Sequence, residues 1–319
     1  MLKLSPAIEQ ANDYPLTPEQ AFLTDNSIEI LRFAADAIRT GMAVALVTLV
    51  DIRGGGARAL GAHMAVREDG LYCGFVSGGC VEAAVAYEAI EAIHSGNDRK
   101  VVYGKGSPWF DIVLPCGGSI TLSIHKLRSA GPLLEVLAAL DQRRPAGLRY
   151  NPQSQTLQCI IPDRNTGWNG EFFDTRYLPC TRVVIYGRSI EAEATARLAQ
   201  TAGYDVHISD GTSLRTLPAA IDSDTAVILL YHDLHRELPV LQAALAATPF
   251  YIGALGSRRT HRERVQRLSE LGWHARDIDR IKAPIGIFPK ARDAYSLALS
   301  VLADVAAARL SSMDKEKTC

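Results

Sequence analysis

The 319-residue chain has no excess of charge of either sign, with 34 basic against 35 acidic side chains. That balance excludes the basic field by which nucleic-acid binders and anionic-membrane binders hold their partners. No run of about 18 apolar residues occurs, so no membrane span is expected. Met1 to Asn26 is mixed in character and contains prolines, without a basic segment leading into an apolar stretch, which leads to the expectation of a soluble cytoplasmic protein. The six cysteines, at 73, 80, 116, 159, 180 and 319, form no C-x-x-C pair and do not cluster with histidine. A disulfide scaffold and a zinc site of the usual spacing are both excluded by that scatter. No internal repeat or low-complexity tract is evident.

What is present is a chain long enough for two domains, 47% hydrophobic, whose partner is expected to be a small molecule or another protein. Cys73 and Cys159 lie in apolar strand-like runs and read as small buried hydrophobes. Cys80 and Cys116 differ because each adjoins a Gly-Gly pair, in Ser77-Gly78-Gly79-Cys80-Val81-Glu82 and Cys116-Gly117-Gly118. A third glycine-rich run, Gly54-Gly55-Gly56-Ala57-Arg58-Ala59-Leu60-Gly61-Ala62-His63-Met64, carries an arginine. Backbone approaches a ligand closely where Cβ is absent, so the three runs suggest a pocket for something anionic and sulfur-reactive.

Apolar spacing predicts a helix over Ser27–Arg39, capped by Asn26 or Ser27, and a buried strand over Ala43–Val50. His63–Arg67 and Leu71–Val76 read as a hairpin around Glu68-Asp69-Gly70. Val81–His94 has helical spacing, which puts Gly78-Gly79-Cys80 at a helix N-terminus, where the dipole favours a thiolate. Strands are expected at 101–103 and 120–124, and a helix at Leu133–Asp141. Domains are expected over 27–125 and 180–310, with a connecting region over 126–179 of short strand-like pieces.

From Thr181 strands and helices alternate: strands near 182–186, 204–209, 226–230 and 250–255, helices near 189–202, 238–247 and 259–271. The expected fold class is therefore α/β, an N-terminal mixed α/β domain followed by a Rossmann-like doubly wound parallel sheet. Gly187-Arg188-Ser189-Ile190-Glu191-Ala192 has the spacing of a dinucleotide fingerprint with Ser in place of the second glycine, and Asp210 stands where a ribose-binding carboxylate would. Either NAD(P) binds there or the fold is a scaffold without it. Gly256-Ser257-Arg258-Arg259 runs from a strand into a helix and offers N–H groups and guanidinium forks to a phosphate. His232, in Tyr231-His232-Asp233, stands at a strand's carboxyl end as a candidate acid, base or metal ligand.

Taken together these segments resemble the XdhC/CoxI family, the accessory proteins of molybdenum hydroxylases such as xanthine dehydrogenase. That family's first domain carries a G-S-x-P-R-x-x-G-x-x-M loop, a G-G-C-x-E turn and a C-G-G turn, matched by the runs beginning at Gly54, Gly78 and Cys116. Tyr231-His232-Asp233, the segment Tyr251–Arg259, Arg280–Gly286 and Ala298–Ala303 are similar to its second domain. Gly55 and Ala57 stand where the family has Ser and Pro, and Asp210-Gly211-Thr212 where it has Asp-x-Arg.

The resemblance implies a carrier, not an enzyme, that binds molybdenum cofactor and hands it, in a sulfurated form, to an apo molybdenum hydroxylase, acting as a homodimer with a cysteine desulfurase as a further partner. It implies a cofactor site in a cleft between the domains, made of Gly54, Arg58, Gly78, Gly79, Cys80, Glu82, Cys116, Gly117, Gly256, Ser257, Arg258 and Arg259. Cys80 and Cys116 are then the molybdenum or sulfur contacts. Two rivals are an NAD(P)-dependent oxidoreductase with its cofactor at Gly187 and Asp210 and His232 as proton donor, and a scaffold that recruits a desulfurase without holding cofactor.

Overall fold

The computed structural model describes residues 17–105, 117–209, 221–231 and 233–315. By its internal contacts the chain divides into two compact units, Met1–Tyr177 and Leu178–Cys319.

The first unit runs β1 (Glu19–Phe22), α1 (Ser27–Arg39), β2 (Val44–Arg53), β3 (His63–Arg67), β4 (Leu71–Gly74), α2 (Glu82–Ser95), β5 (Arg99–Gly104) and β6 (Ser119–Lys126). There follow α3 (Gly131–Asp141), β7 (Ala146–Asn151), β8 (Thr156–Ile160), β9 (Gly167–Asn169) and β10 (Phe172–Tyr177). Six strands form one sheet in the order β1-β4-β3-β2-β6-β5, antiparallel except for the β1–β4 pair.

Strand alternation decides what each face of that sheet buries. Ala45, Val47 and Leu49 of β2, with Ile120, Leu122 and Ile124 of β6, pack against Val85, Ala86, Ala89 and Ile93 of α2. Val44 and Leu46 turn the other way, onto Ile30, Leu31 and Ala34 of α1 and Leu133, Val136 and Leu140 of α3. Each fully buried Val, Leu or Ile among them stabilises the unit by about 1.5–3 kcal/mol. The α1 helix has the bounds expected from its apolar spacing, and the Asn26 side chain accepts the Ile28 N–H at 2.9 Å.

Residues 146–177 form a four-stranded antiparallel sheet, β8-β7-β10-β9, whose Ala146, Leu148 and Tyr177 share the core of α1 and α3. Arg149 and Asp174 are register partners there and meet in a two-pronged ion pair at 2.7 and 2.6 Å. The two sheets are tied by His63, whose Nε2 lies 2.5 Å from the Tyr177 hydroxyl while Nδ1 lies 3.1 Å from Thr48 Oγ1. Burial lowers the His63 pKa to about 4, only partly offset by its bond to the Val47 carbonyl. This histidine is a neutral structural link.

The second unit alternates strand and helix: β11 (Arg182–Tyr186), α4 (Ile190–Thr201), β12 (Asp205–Ser209), β13 (Thr225–Leu229), α5 (Leu234–Ala246), β14 (Tyr251–Ala254), α6 (Arg258–Glu270), α7 (Ala275–Ile278), β15 (Ile281–Lys282) and α8 (Ala294–Lys315). All five strands are parallel, in the order β12-β11-β13-β14-β15. Val184, Val227, Leu229 and Ile252 face one apolar layer with Val240, Leu241 and Leu268, and Val183, Ile185, Ala226 and Ile228 face a second with Ala192, Ala196, Val301 and Val305. The sheet is thus covered on both faces, as the alternation of elements predicts.

By length and composition α8 could cross a membrane. In the fold it directs Ala298, Val301, Leu302 and Val305 into the core. Its buried Asp304 accepts from the Tyr251 hydroxyl at 2.8 Å and from Lys282 Nζ at 3.2 Å.

Candidate functional site

Three glycine-bearing segments meet at one rim of the six-stranded sheet. Arg53 ends β2 opposite Ser119, the first residue of β6, so the chain after Arg53 and the chain before Ser119 leave the sheet side by side. Their backbones are in contact. A Cβ on Gly118 would lie 2.5 Å from the Gly55 carbonyl oxygen and 2.6 Å from that of Arg53, and one on Gly54 would lie 3.2 Å from Gly118 Cα. Only glycine permits that approach.

The same loop reaches the Cys80 turn at its other end. A Cβ on Gly78 would lie 3.7 Å from Ala57 Cβ, and Arg58 Nε donates to the Ser77 carbonyl at 3.3 Å. The segments 54–58, 77–80 and 117–118 therefore share one rim. Among the described residues no atom lies within 4 Å of where a Cβ would be on Gly79, at φ +102°, or on Gly117, at φ +67°, which leaves space for a ligand on that side.

Cys80 is exposed, one residue before the Val81 N-cap of α2, with its sulfur 3.6 Å from Ser77 Oγ. Glu82 stands behind the turn, not in front of it. Its carboxylate is 2% exposed and accepts the N–H groups of Val76, Ser77 and Val81 at 3.2, 2.8 and 3.2 Å, plus the Ser77 hydroxyl at 2.8–2.9 Å. A buried carboxylate with that many donors shapes the turn that presents Cys80. Glu82 thus holds from behind the turn on which the other expected site residues stand.

Arg58 is less free than its sequence context suggests. Its Nη1 pairs with Asp25 at 2.6 Å and its guanidinium lies 5.4 Å from the Phe75 ring centre. Asp25 is 33 residues away and carries no local signal. Cys116 lies outside the described residues. Among the described residues no group of three or more His, Cys, Asp and Glu side chains could hold a metal.

In the second unit, Ser257 caps α6, its hydroxyl accepting the Thr260 N–H at 3.2 Å. Arg258 and Arg259 are exposed in the first turn of that helix, and Arg259 pairs with Glu263 at 3.3 Å. Behind them Arg264 is fully buried, donating to Glu237 at 2.5 and 3.0 Å and to the Leu255 carbonyl at 2.9 Å, which ties α5 to the strand end before Gly256. Helical spacing could have marked it, since Arg264 precedes the buried Leu268 by four residues on the core face.

Gly187 follows β11 at the point where strand order reverses, beside Leu230, and Ser189 is the N-cap of α4. Asp233 caps α5, accepting the His235 N–H at 2.9 Å. Asp210 and His232 lie outside the described residues.

Residues 37–104, which hold Arg58 and the Cys80 turn, match the XdhC and CoxI family, and residues 183–305 match the XdhC Rossmann domain. Over 293 residues, 92% of each chain, the sequence is 64% identical to the molybdenum cofactor insertion chaperone PaoD of Escherichia coli. The chain belongs to the XdhC and CoxI family. A more distant relative, the uncharacterized protein YqeB of Escherichia coli, is 26% identical over 264 residues, 82% of this chain but 42% of its own length. Among solved structures, one described as a xanthine dehydrogenase from Bacillus halodurans shares the fold, with a TM-score of 0.69 at 21% identity over 89% of this chain and 96% of that one. The expected family is borne out, as is the fold class.

Proposed function

We propose that this chain binds molybdenum cofactor as cargo and delivers it to a partner molybdoenzyme. Its likeness to PaoD supports the cargo, and one observation carries the site: the exposed Cys80 thiol stands on an open glycine turn that Arg58 joins to the Gly54 loop, whose other end meets the Gly117-Gly118 backbone. A thiol suits a soft metal or a transferable sulfur, and the glycine backbone at Gly79 and Gly117 leaves room for an anionic end to approach closely. The residues fit the cargo.

In this proposal Cys80 contacts molybdenum or its sulfur with Cys116 as its partner, and Gly54, Gly78, Gly79 and Gly117 provide the close backbone. Arg58 supplies charge beside them, and Glu82 holds the turn. Gly256, Ser257, Arg258 and Arg259 are a second anion-binding segment. The cargo is delivered sulfurated, the client is a molybdenum hydroxylase such as xanthine dehydrogenase, and the working form is a cytoplasmic homodimer that meets a cysteine desulfurase.

The test is transfer. Chain purified from cells that make the cofactor is mixed with an apo molybdenum hydroxylase, and activation is compared between wild type and Cys80→Ser. Activation by wild type and its loss in the variant support the proposal. Wild type that carries neither molybdenum nor pterin and activates nothing contradicts it.

A further inference from the structure

The face of the six-stranded sheet turned away from α2 carries a cavity of about 380 Å³ between β2, β5, β6 and the β9 strand. Its chemistry follows from strand alternation. Val101 and Tyr103 of β5 and Ile120 and Leu122 of β6 point into the α2 core, so Lys100 and Val102, with Ser119 and Thr121, point into the cavity. Arg53 and Lys105 stand at its edge.

Trp168 forms one wall. Its indole N–H donates to the Val50 carbonyl at 3.0 Å and its ring meets Phe173 edge-on at 5.3 Å, yet 47% of the residue is exposed. A ring fixed by two contacts and still open is a ready stacking surface. Arg53 is paired with Asp51 at 3.3 Å, while among the described residues Lys100 and Lys105 make no ion pair. Two cations, two hydroxyls, an aromatic wall and the Asp51–Arg53 pair thus line one trough, whose lining residues Arg53 and Ser119 adjoin Gly54 and Gly118 in sequence.

We infer that this trough binds the phosphate-bearing end of an aromatic heterocyclic ligand, with Lys100 and Lys105 on the phosphate and Trp168 against the ring. The inference deepens the proposed function, on which it rests for the identity of the ligand: the phosphate end lies along the sheet while the sulfur end lies at Cys80. A phosphate ester could be the pterin's own or that of an attached nucleotide, and the two sources are separable.

Wild type, Lys100→Ala with Lys105→Ala, Trp168→Phe and Trp168→Ala are titrated calorimetrically with ADP, UDP, a pterin phosphate ester, inorganic pyrophosphate and uridine. The expected result is saturable binding of phosphate esters, weakened about tenfold or more by loss of the two lysines. Trp168→Phe is expected to retain binding and Trp168→Ala to weaken it. Binding of nucleotides assigns the trough to a nucleotide end, and binding of the pterin ester alone assigns it to the pterin phosphate. No saturable binding by any ester, or binding that the lysine variant leaves intact, overturns the inference. Pyrophosphate bound as tightly as the esters overturns the role of Trp168 and with it the heterocycle. Molybdenum and pterin are assayed on the same preparations. Cargo in wild type with ester binding indifferent to the lysines removes the trough and leaves the proposed function. Ester binding lost with the lysines, in a chain that never carries cargo, does the reverse.

Discussion

Arg58 Nε donates to the Ser77 carbonyl at 3.3 Å across 19 residues of sequence, and that bond joins the Gly54 loop to the Cys80 turn. The same guanidinium is paired with Asp25, so its charge is already partly answered. Arg58→Ala is expected to lower the pterin retained per chain several-fold by releasing the loop, and Asp25→Asn to raise it by freeing the cation. Both partners keep solvent contact, so neither change should cost more than about 1 kcal/mol of stability. Fluorescent pterin released on oxidation, set beside thermal melts of the same proteins, checks both halves.

Gly118→Ala would place a methyl 2.5 Å from the Gly55 carbonyl oxygen, a clash between backbones that no side-chain rotation relieves. A loss of about 1–3 kcal/mol is expected, with the Gly54 loop displaced. Gly79→Ala meets no neighbour among the described residues but must hold φ +102°. It is expected to disturb cargo binding more than melting temperature. Calorimetric melts of the two variants separate packing from conformation.

Much of this was legible in the sequence because periodicity is local. The apolar spacing of Ile28, Ile30, Leu31, Phe33 and Ala34 predicts α1, and the β-branched run at 182–186 predicts β11 with the bounds observed. The strands of 146–177 are three to six residues long and rich in polar residues, so their pairing depends on partners far along the chain, such as Arg149 with Asp174. At the candidate site the glycines and Cys80 carried signals. Asp25 did not, and the contact of Gly118 with Gly55 arises from strand pairing that no local pattern encodes. The helix α5 starts at Leu234, not near Leu238, because Asp233 caps it and Pro239 is accommodated within it.

Arg264 and Glu237 are both buried and paired, with Arg264 also holding the Leu255 carbonyl. Arg264→Ala leaves a buried carboxylate without its partner and is expected to cost about 3–5 kcal/mol. Replacing both, Arg264→Met with Glu237→Leu, is expected to cost much less. Urea denaturation of the single and double variants measures the difference.

The pKa of His63 falls from its ordinary value of 6.5 to about 4 because it is buried. The unfolded chain therefore binds a proton there before the folded one does. Stability from this group is full above about pH 6.5 and is lost as pH falls toward 4, reaching roughly 3 kcal/mol. His63→Gln, which retains hydrogen-bonding capacity without the charge change, is expected to flatten the pH dependence of stability between pH 4 and 6.5. Denaturation midpoints across that window, compared with wild type, decide it.

The decisive measurement is the molybdenum and pterin content of protein purified from cells that make the cofactor, for wild type and for Cys80→Ala with its fold verified. Wild type is expected to retain both and the Cys80 variant to lose most of each. Equal cargo in the two would show that the exposed thiol at the glycine rim is not where molybdenum cofactor is held.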